Sequence, residues 1–475
     1  RTRLYVFDID KKEATLLTPG PYDNSDPVWG PGGDIIAFTS KRGEDPDRHI
    51  NSDIYVIEAK PDAKPRQVTT WVGADSSPVF SPDGKTIAYL RGGPVKYAWY
   101  DPDQIATVSV KGGDERVVNP NYGQYVYSPR WSRDGKALYF LVEDDRITSL
   151  ASMALTGGEP EILFPTRSKP GVARSFEVGA KGIAALVTFP QRPAEIYRVE
   201  DAVALTDHNQ EFRDSIEWGS VEGFDATSAD SVAVGSMLRK PPGFRKGKKY
   251  PTIFYIHGGP VGQDAFDFDF TAQLLAAQGY LVVQPNYRGS SGRGREFSRA
   301  IYADWGNLEI QDIHAVADKL VEEGLSDPDR LGIGGWSYGG INTNFAIATD
   351  TRFSAAISGS GAANYIAGYG TDQYIWQYEN EVGLPWVSID TYLKMSYPFL
   401  NADRIETPTL FMCGEKDFNV PLINSEQMYQ ALRSLNVPTQ LVIYPGEYHG
   451  LSKPSNIQDR LERWIDWYAR YLGED

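Results

Sequence analysis

Three stretches of the chain repeat one another at a fixed distance. Residues 26–38 read D-P-V-W-G-P-G-G-D-I-I-A-F, residues 77–89 read S-P-V-F-S-P-D-G-K-T-I-A-Y, and residues 128–140 read S-P-R-W-S-R-D-G-K-A-L-Y-F. Their aromatic residues Trp29, Phe80 and Trp131 lie 51 residues apart, and a fainter fourth copy covers 175–187. Each copy is an apolar run, a Pro/Asp/Gly turn and a second apolar run, which is hairpin chemistry. Further strand-like runs follow, such as 53–57 and 195–199. A four-strand unit recurring near every fifty residues predicts β-propeller blades, since each sheet buries its faces only by stacking on the next copy. An all-β sandwich with accidental similarity is the competing reading, and the regularity of S-P-x-[FW]-S-x-D-G-K argues against it.

Residues 1–210 hold about four such blades and a remnant at 3–8, a number that does not readily close a ring. The chain starts at Arg1 without Met and runs at once into a strand-like segment. The expectation is a partial propeller whose beginning lies outside this sequence. Residues 211–475 read differently. After a β-hairpin over 215–237 and a Pro/Gly/Lys loop at 240–249, strands and helices alternate. Strands are expected at 251–257, 280–284, 331–334, 355–358, 409–413 and 440–444. Helices are expected at 271–278, 309–323, 424–435 and 458–472. Alternation of this kind predicts a mostly parallel sheet covered on both faces, and the motifs described next make an α/β-hydrolase domain of it. The apolar stripe of 458–472 is expected to pack on its own sheet.

Within that half, Gly335-Trp336-Ser337-Tyr338-Gly339 is the single G-x-S-x-G of the chain, and it stands between an apolar run and a helical segment. That context makes it a nucleophile elbow, with a serine hydroxyl held at a sheet tip. A serine needs a base, and the base needs an orienting acid. Five histidines are present. His49 and His208 lie in the repeat half, His314 is inside a helix, and His257 ends a strand before two glycines, where holding the loop is the expected role. His449 follows the strand 440–444, at the sheet end where open α/β sheets gather their sites. The acid is expected on the loop after strand 409–413: Asp417, with Glu415 as its competitor. The tetrahedral intermediate needs two N–H donors. These are expected from Tyr338, after the nucleophile, and from Gly259 in His257-Gly258-Gly259-Pro260.

Together these motifs resemble the prolyl oligopeptidase family of serine peptidases, above all its acylaminoacyl-peptidase and dipeptidyl-peptidase branches. The resemblance rests on H-G-G-P at 257–260, N-Y-R-G-S-S-G at 286–292, G-G-W-S-Y-G-G at 334–340, G-x-x-D-x-x-V-P at 414–421 and Y-P-x-x-x-H-G at 444–450. It implies a propeller that caps the hydrolase domain, short peptides as substrates, and Ser337, Asp417 and His449 as the triad. It further implies Gly259 and Tyr338 as oxyanion donors, and Tyr365, Tyr369 and Asn419 as substrate contacts, with Tyr374 and Trp376 in the same aromatic stretch. Two departures stand out. Cys413 replaces the usual histidine before Gly414, and the paired propeller glutamates of the amine-requiring exopeptidases have no evident counterpart.

Composition narrows the partners. Net charge is −16, from 63 acidic and 47 basic residues, without a basic cluster; this speaks against nucleic acid or an anionic membrane surface as a partner. One cysteine allows neither an intrachain disulfide nor a cysteine metal site. No cofactor or metal is expected, a homo-oligomer is possible, and either a cytoplasmic or an exported location is compatible. The alternatives to a peptidase are an esterase using the same triad and an inert propeller binding protein.

Overall fold

The structure is a computed structural model and describes residues 1–473. Its chain divides into two compact units, one of residues 1–188, 194–208 and 292–295, the other of 189–193, 209–291 and 296–475.

The first unit is propeller-like. Antiparallel four-stranded sheets form from Asn24–Trp29, Ile35–Ser40, Asp53–Glu58 and Arg66–Gln67, and from Asp75–Phe80, Thr86–Arg91, Gln104–Ser109 and Arg116–Val117. The third and fourth blades begin at Val126–Trp131 and Val172–Gly179. They run together as one sheet through a single parallel pair, Thr148 with Val172, which periodicity does not register. The remnant is a two-stranded pair, Tyr5–Asp8 with Glu13–Leu16. Its second strand, E-A-T-L, carries too little pattern to be read from sequence.

Alternation along each strand builds the stack. Ile87 and Tyr89 face Ala37, Ile54 and Val56 of the first blade, while Ala88 and Leu90 face Leu138, Phe140 and Ala151 of the third. The repeated Asp/Ser-Pro is a built kink. Asp26, Ser77 and Ser128 adopt left-handed φ of 51°, 53° and 53°, and the pairing register shifts at the same place in all three copies. A bulge of this kind twists the innermost strand. The S-x-D-G-K turn is held by its own side chains: Ser81 donates to Asp83, whose carboxylate accepts the Lys85 N–H, and Ser132 and Asp134 do the same.

The second unit is an α/β-hydrolase fold. Its strands are β1 (Val221–Thr227), β2 (Ala233–Arg239), β3 (Tyr250–Ile256), β4 (Leu281–Pro285), β5 (Ser326–Trp336), β6 (Phe353–Gly359), β7 (Thr409–Gly414) and β8 (Thr439–Tyr444). They lie in the order β1-β2-β4-β3-β5-β6-β7-β8. β1–β2 and β2–β4 pair antiparallel and the rest are parallel, so the C-terminal ends of β3 to β8 share one edge. The main helices are α1 (Phe270–Ala277), α2 (Leu308–Glu322), α3 (Tyr338–Thr349), α4 (Ile423–Ser434) and α5 (Pro454–Leu472).

α5 begins four residues before the expected start because Pro454 opens the helix, where its missing N–H costs nothing. Trp464, Trp467, Tyr468 and Leu472 form its buried stripe, against Ile253, Val282, Ile357 and Met412 of the sheet. Gly332 and Gly334 let it approach, since a methyl at Gly332 would lie 2.8 Å from Leu472. The segment before the hairpin forms a short helix, Gln210–Asp214, and the hairpin itself starts at Val221. Among the described residues, no helix is long and apolar enough to cross a membrane.

Candidate active site

Ser337 sits between β5 and α3 with φ 61° and ψ −124°. For a non-glycine residue this conformation costs on the order of 1–3 kcal/mol and persists only where packing imposes it. Here packing does. A methyl at Gly339 would lie 2.1 Å from the Ile256 carbonyl, and one at Gly335 2.3 Å from the same oxygen. Only glycine at both positions allows β3, the turn and α3 to come this close. The Ser337 N–H donates to Gly359 O at 2.9 Å and anchors the turn to β6.

His449 and Asp417 come from the loops after β8 and β7, which the backbone interlocks. Glu415 N donates to Tyr444 O at 3.1 Å and Lys416 N to Glu447 O at 2.8 Å. Gly414 permits this, because a methyl there would lie 2.1 Å from Tyr448 O. His449 Nδ1 lies 2.8 Å from Asp417 Oδ2. Facing a carboxylate, Nδ1 carries the proton, which leaves Nε2 as the basic nitrogen. Asp417 is buried, and its Oδ1 accepts the N–H groups of Asn419 and Val420, each at 2.9 Å. Glu415 turns elsewhere and accepts the Gly446 N–H at 2.8 Å. The Cys413 thiol lies 3.9 Å from Asp417 Oδ2. Burial pushes its pKa up to about 12, so it stays a neutral thiol beside the carboxylate.

Sequence reasoning missed two groups that bind the His449 loop. The Trp336 indole N–H donates to His449 O at 2.8 Å, linking the elbow to the histidine. Glu447 accepts from the backbone N–H groups of Ser452 and Lys453, the Ser452 hydroxyl and the Asn456 amide. These bonds, chiefly the two backbone donors, hold its pKa down at about 2. Its only signal in the sequence was its place inside Y-P-x-x-x-H. A carboxylate with a depressed pKa stabilises the fold above its unfolded pKa of about 4.3 and loses that contribution as pH falls through its folded value. Thermal melts between pH 4.5 and 2 are therefore expected to fall more steeply for wild type than for Glu447→Gln. Parallel curves would remove Glu447 from the account.

His257 follows β3, which ends one residue earlier than expected, and burial lowers its pKa to about 4, so the ring is neutral. Its Nδ1 lies 2.8 Å from Gly258 O, an acceptor only, and therefore donates; Nε2 then accepts from the Ser290 hydroxyl at 2.9 Å. The ring thus ties down the loop that carries Gly258 and Gly259. A methyl at Gly258 would lie 3.2 Å from Ser337 Cβ, and Gly259 has φ 133°. The loop therefore runs directly against the serine.

Of the aromatic stretch, Tyr365 is buried, with Trp305 at 5.5 Å and Tyr378 at 6.2 Å between ring centroids. Tyr369 meets Tyr378, Trp386 and Tyr392. The Asn419 side chain donates to Tyr374 and accepts from Gln373, bridging this stretch to the Asp417 loop.

Sheet order, elbow and the two interlocked loops define an α/β-hydrolase fold with Ser337 at the turn between β5 and α3. Residues 266–475 match the model of the prolyl oligopeptidase family. It is 29% identical over 459 residues to dipeptidyl-peptidase 5 of Porphyromonas gingivalis, covering 94% of this chain and 66% of the relative, so it spans about two thirds of that protein's length. It is 28% identical to the uncharacterized peptidase YuxL of Bacillus subtilis, over 99% of this chain and 86% of that one. The acylaminoacyl peptidase of Pyrococcus horikoshii has the same fold: TM-score 0.85 and 24% identity, covering 99% of this chain and 74% of that one.

Proposed function

We propose that this protein hydrolyses short peptides as a serine exopeptidase, of acylaminoacyl- or dipeptidyl-peptidase type, through an acyl-enzyme on Ser337. The observation that carries the reading is the 2.8 Å contact between His449 Nδ1 and a buried, fully hydrogen-bonded Asp417, on loops locked beside a strained Ser337. His449 Nε2 takes the Ser337 proton as Oγ attacks the scissile carbonyl. The N–H groups of Gly259 and Tyr338 bind the developing oxyanion. The imidazolium then protonates the leaving amine, and water repeats the sequence to free the acyl product. Asp417 holds the tautomer and stabilises the charged ring. The kind of exopeptidase is suggested by the dipeptidyl-peptidase 5 relative and the acylaminoacyl-peptidase fold neighbour.

One matched peptide, with its N-terminus free or acetylated, tests this, with products read by mass spectrometry and Ser337→Ala as control. Release of an acetylated residue from the blocked peptide alone assigns acylaminoacyl specificity. Release of dipeptides from the free peptide alone assigns dipeptidyl specificity. Cleavage of neither, with turnover of ester substrates, overturns the peptidase reading in favour of an esterase.

A further inference from the structure

The two N–H groups assigned to the oxyanion come from different elements, the loop after β3 and the first turn of α3. A column of three rings joins those elements. His257 stacks on Tyr287 with centroids 4.5 Å apart and planes 13° apart, and Tyr287 stacks on Tyr338 at 6.2 Å and 19°. Both ends are tied. At one end, His257 bonds Gly258 and Ser290, and the Tyr287 hydroxyl donates to His257 O at 2.9 Å. At the other end, the Tyr338 hydroxyl donates to Glu309 Oε1 at 2.9 Å.

Glu309 is wholly buried near the start of α2, where it also accepts the N–H groups of Gly306 at 2.6 Å and Asn307 at 3.2 Å. Trp305 closes the side of Tyr338, edge-on at 5.8 Å. The Tyr338 side chain is thus clamped from three directions, although the reaction uses only its backbone N–H.

We propose that this column is the spacer of the oxyanion hole, with Tyr287 and Glu309 as positioning residues that act through Tyr338 and the Gly258–Gly259 loop. The proposal rests on the oxyanion assignment made above. Its physical basis is that donors stabilise the intermediate only within about 2.7–3.1 Å of the future oxyanion. A displacement of about 1 Å can cost about a hundredfold in rate. Backbone N–H groups on two separate loops hold such a distance only if something rigid spans them. The three side chains pack as one block, His257 closely on Tyr287 and Tyr338 nearly parallel at the wider 6.2 Å, and the Glu309 contact stops the last ring from sliding.

The test measures kcat and KM on one cleaved peptide, together with inhibition by a peptidyl aldehyde, whose hemiacetal oxygen occupies the hole. Tyr338→Phe and Glu309→Gln each disturb the clamp while keeping ring and volume. Tyr338→Phe, which removes the bond, is expected to lower kcat about tenfold, the value of one hydrogen bond to a carboxylate, and Glu309→Gln, which leaves a neutral acceptor at Oε1, by less. KM should stay within about twofold, and aldehyde affinity should fall in step with kcat, as for an interaction made only in the transition state. The double variant should be no worse than Tyr338→Phe alone, since that substitution already removes the contact that Glu309→Gln weakens. Tyr287→Leu should lose more, and Tyr287→Phe, which keeps the ring, should recover most of it.

Unchanged kcat in both Tyr338→Phe and Glu309→Gln overturns the proposal. So does a loss confined to KM or to thermal stability. If Tyr287→Leu fails to fold, those two conservative variants decide. Ser337→Ala separates the two levels. If that variant is inactive while the column variants keep full kcat, only the spacer fails. If it stays active, the triad reading fails and takes the spacer with it.

Discussion

Ser337→Ala is expected to lower kcat on any cleaved peptide by about 10⁶-fold, with the protein still folded and still binding substrate. The loss is this large because the members of a triad act as one unit, and residual turnover comes only from the oxyanion donors and from binding. The substitution also leaves the elbow in place. The contacts that impose its geometry involve Gly335, Gly339 and Ile256 rather than the serine hydroxyl. Thermal melting should therefore hold or rise slightly. Labelling by a fluorophosphonate should vanish in parallel. A variant that cleaves peptides at more than about a thousandth of the wild-type rate would move the nucleophile elsewhere.

Asp417→Asn is expected to cost about 10⁴-fold in kcat. The environment of Asp417 dictates why an isosteric change is so damaging. Oδ1 accepts two backbone N–H groups, from Asn419 and Val420. An asparagine must keep its oxygen there, which turns its NH₂ toward His449 Nδ1. Nδ1 then has to accept, the ring proton moves to Nε2, and the histidine can no longer take a proton from Ser337. Stability should change little, because both backbone bonds survive. Glu415→Gln, at a side chain that accepts the Gly446 N–H, is the matched control and should keep nearly full activity. A mild effect of Asp417→Asn beside a severe one of Glu415→Gln would exchange the two roles.

The residues that do the proposed chemistry could be found one at a time in the sequence, because each is tied to a local signature. The elbow follows from glycines two residues either side of Ser337. Asp417 and His449 follow from strands 409–413 and 440–444, whose ends set where the loops begin. The residues that hold the chemistry in place could not be found this way. Glu309 is an acid in the first turn of a helix, a common placement that singles out no role. Tyr287 read as one letter of N-Y-R-G-S-S-G. Trp336 read as the variable residue of G-x-S-x-G. Each acquires its role from a partner distant in the chain: Glu309 from Tyr338, Tyr287 from His257, Trp336 from His449.

The repeat half shows the same division. Hairpin turns of the form S-x-D-G-K are closed by their own side chains, so their sequence suffices to place them. The bulge at Asp26, Ser77 and Ser128 recurs in the text as Asp/Ser-Pro, yet its left-handed φ becomes visible only when the innermost strand pairs with its neighbour.

By itself, the sequence determined the two architectures, the order of strands and helices in the second half, and the candidate triad. These depend on hydrophobic period, turn chemistry and short motifs, all interactions between residues near one another in the chain. Tertiary structure alone decided the interlocking of the loops after β7 and β8, the Trp336 contact to the His449 loop, and the ring column behind the serine. Those depend on contacts of about 3 to 6 Å between residues tens to more than a hundred positions apart, which no local pattern encodes.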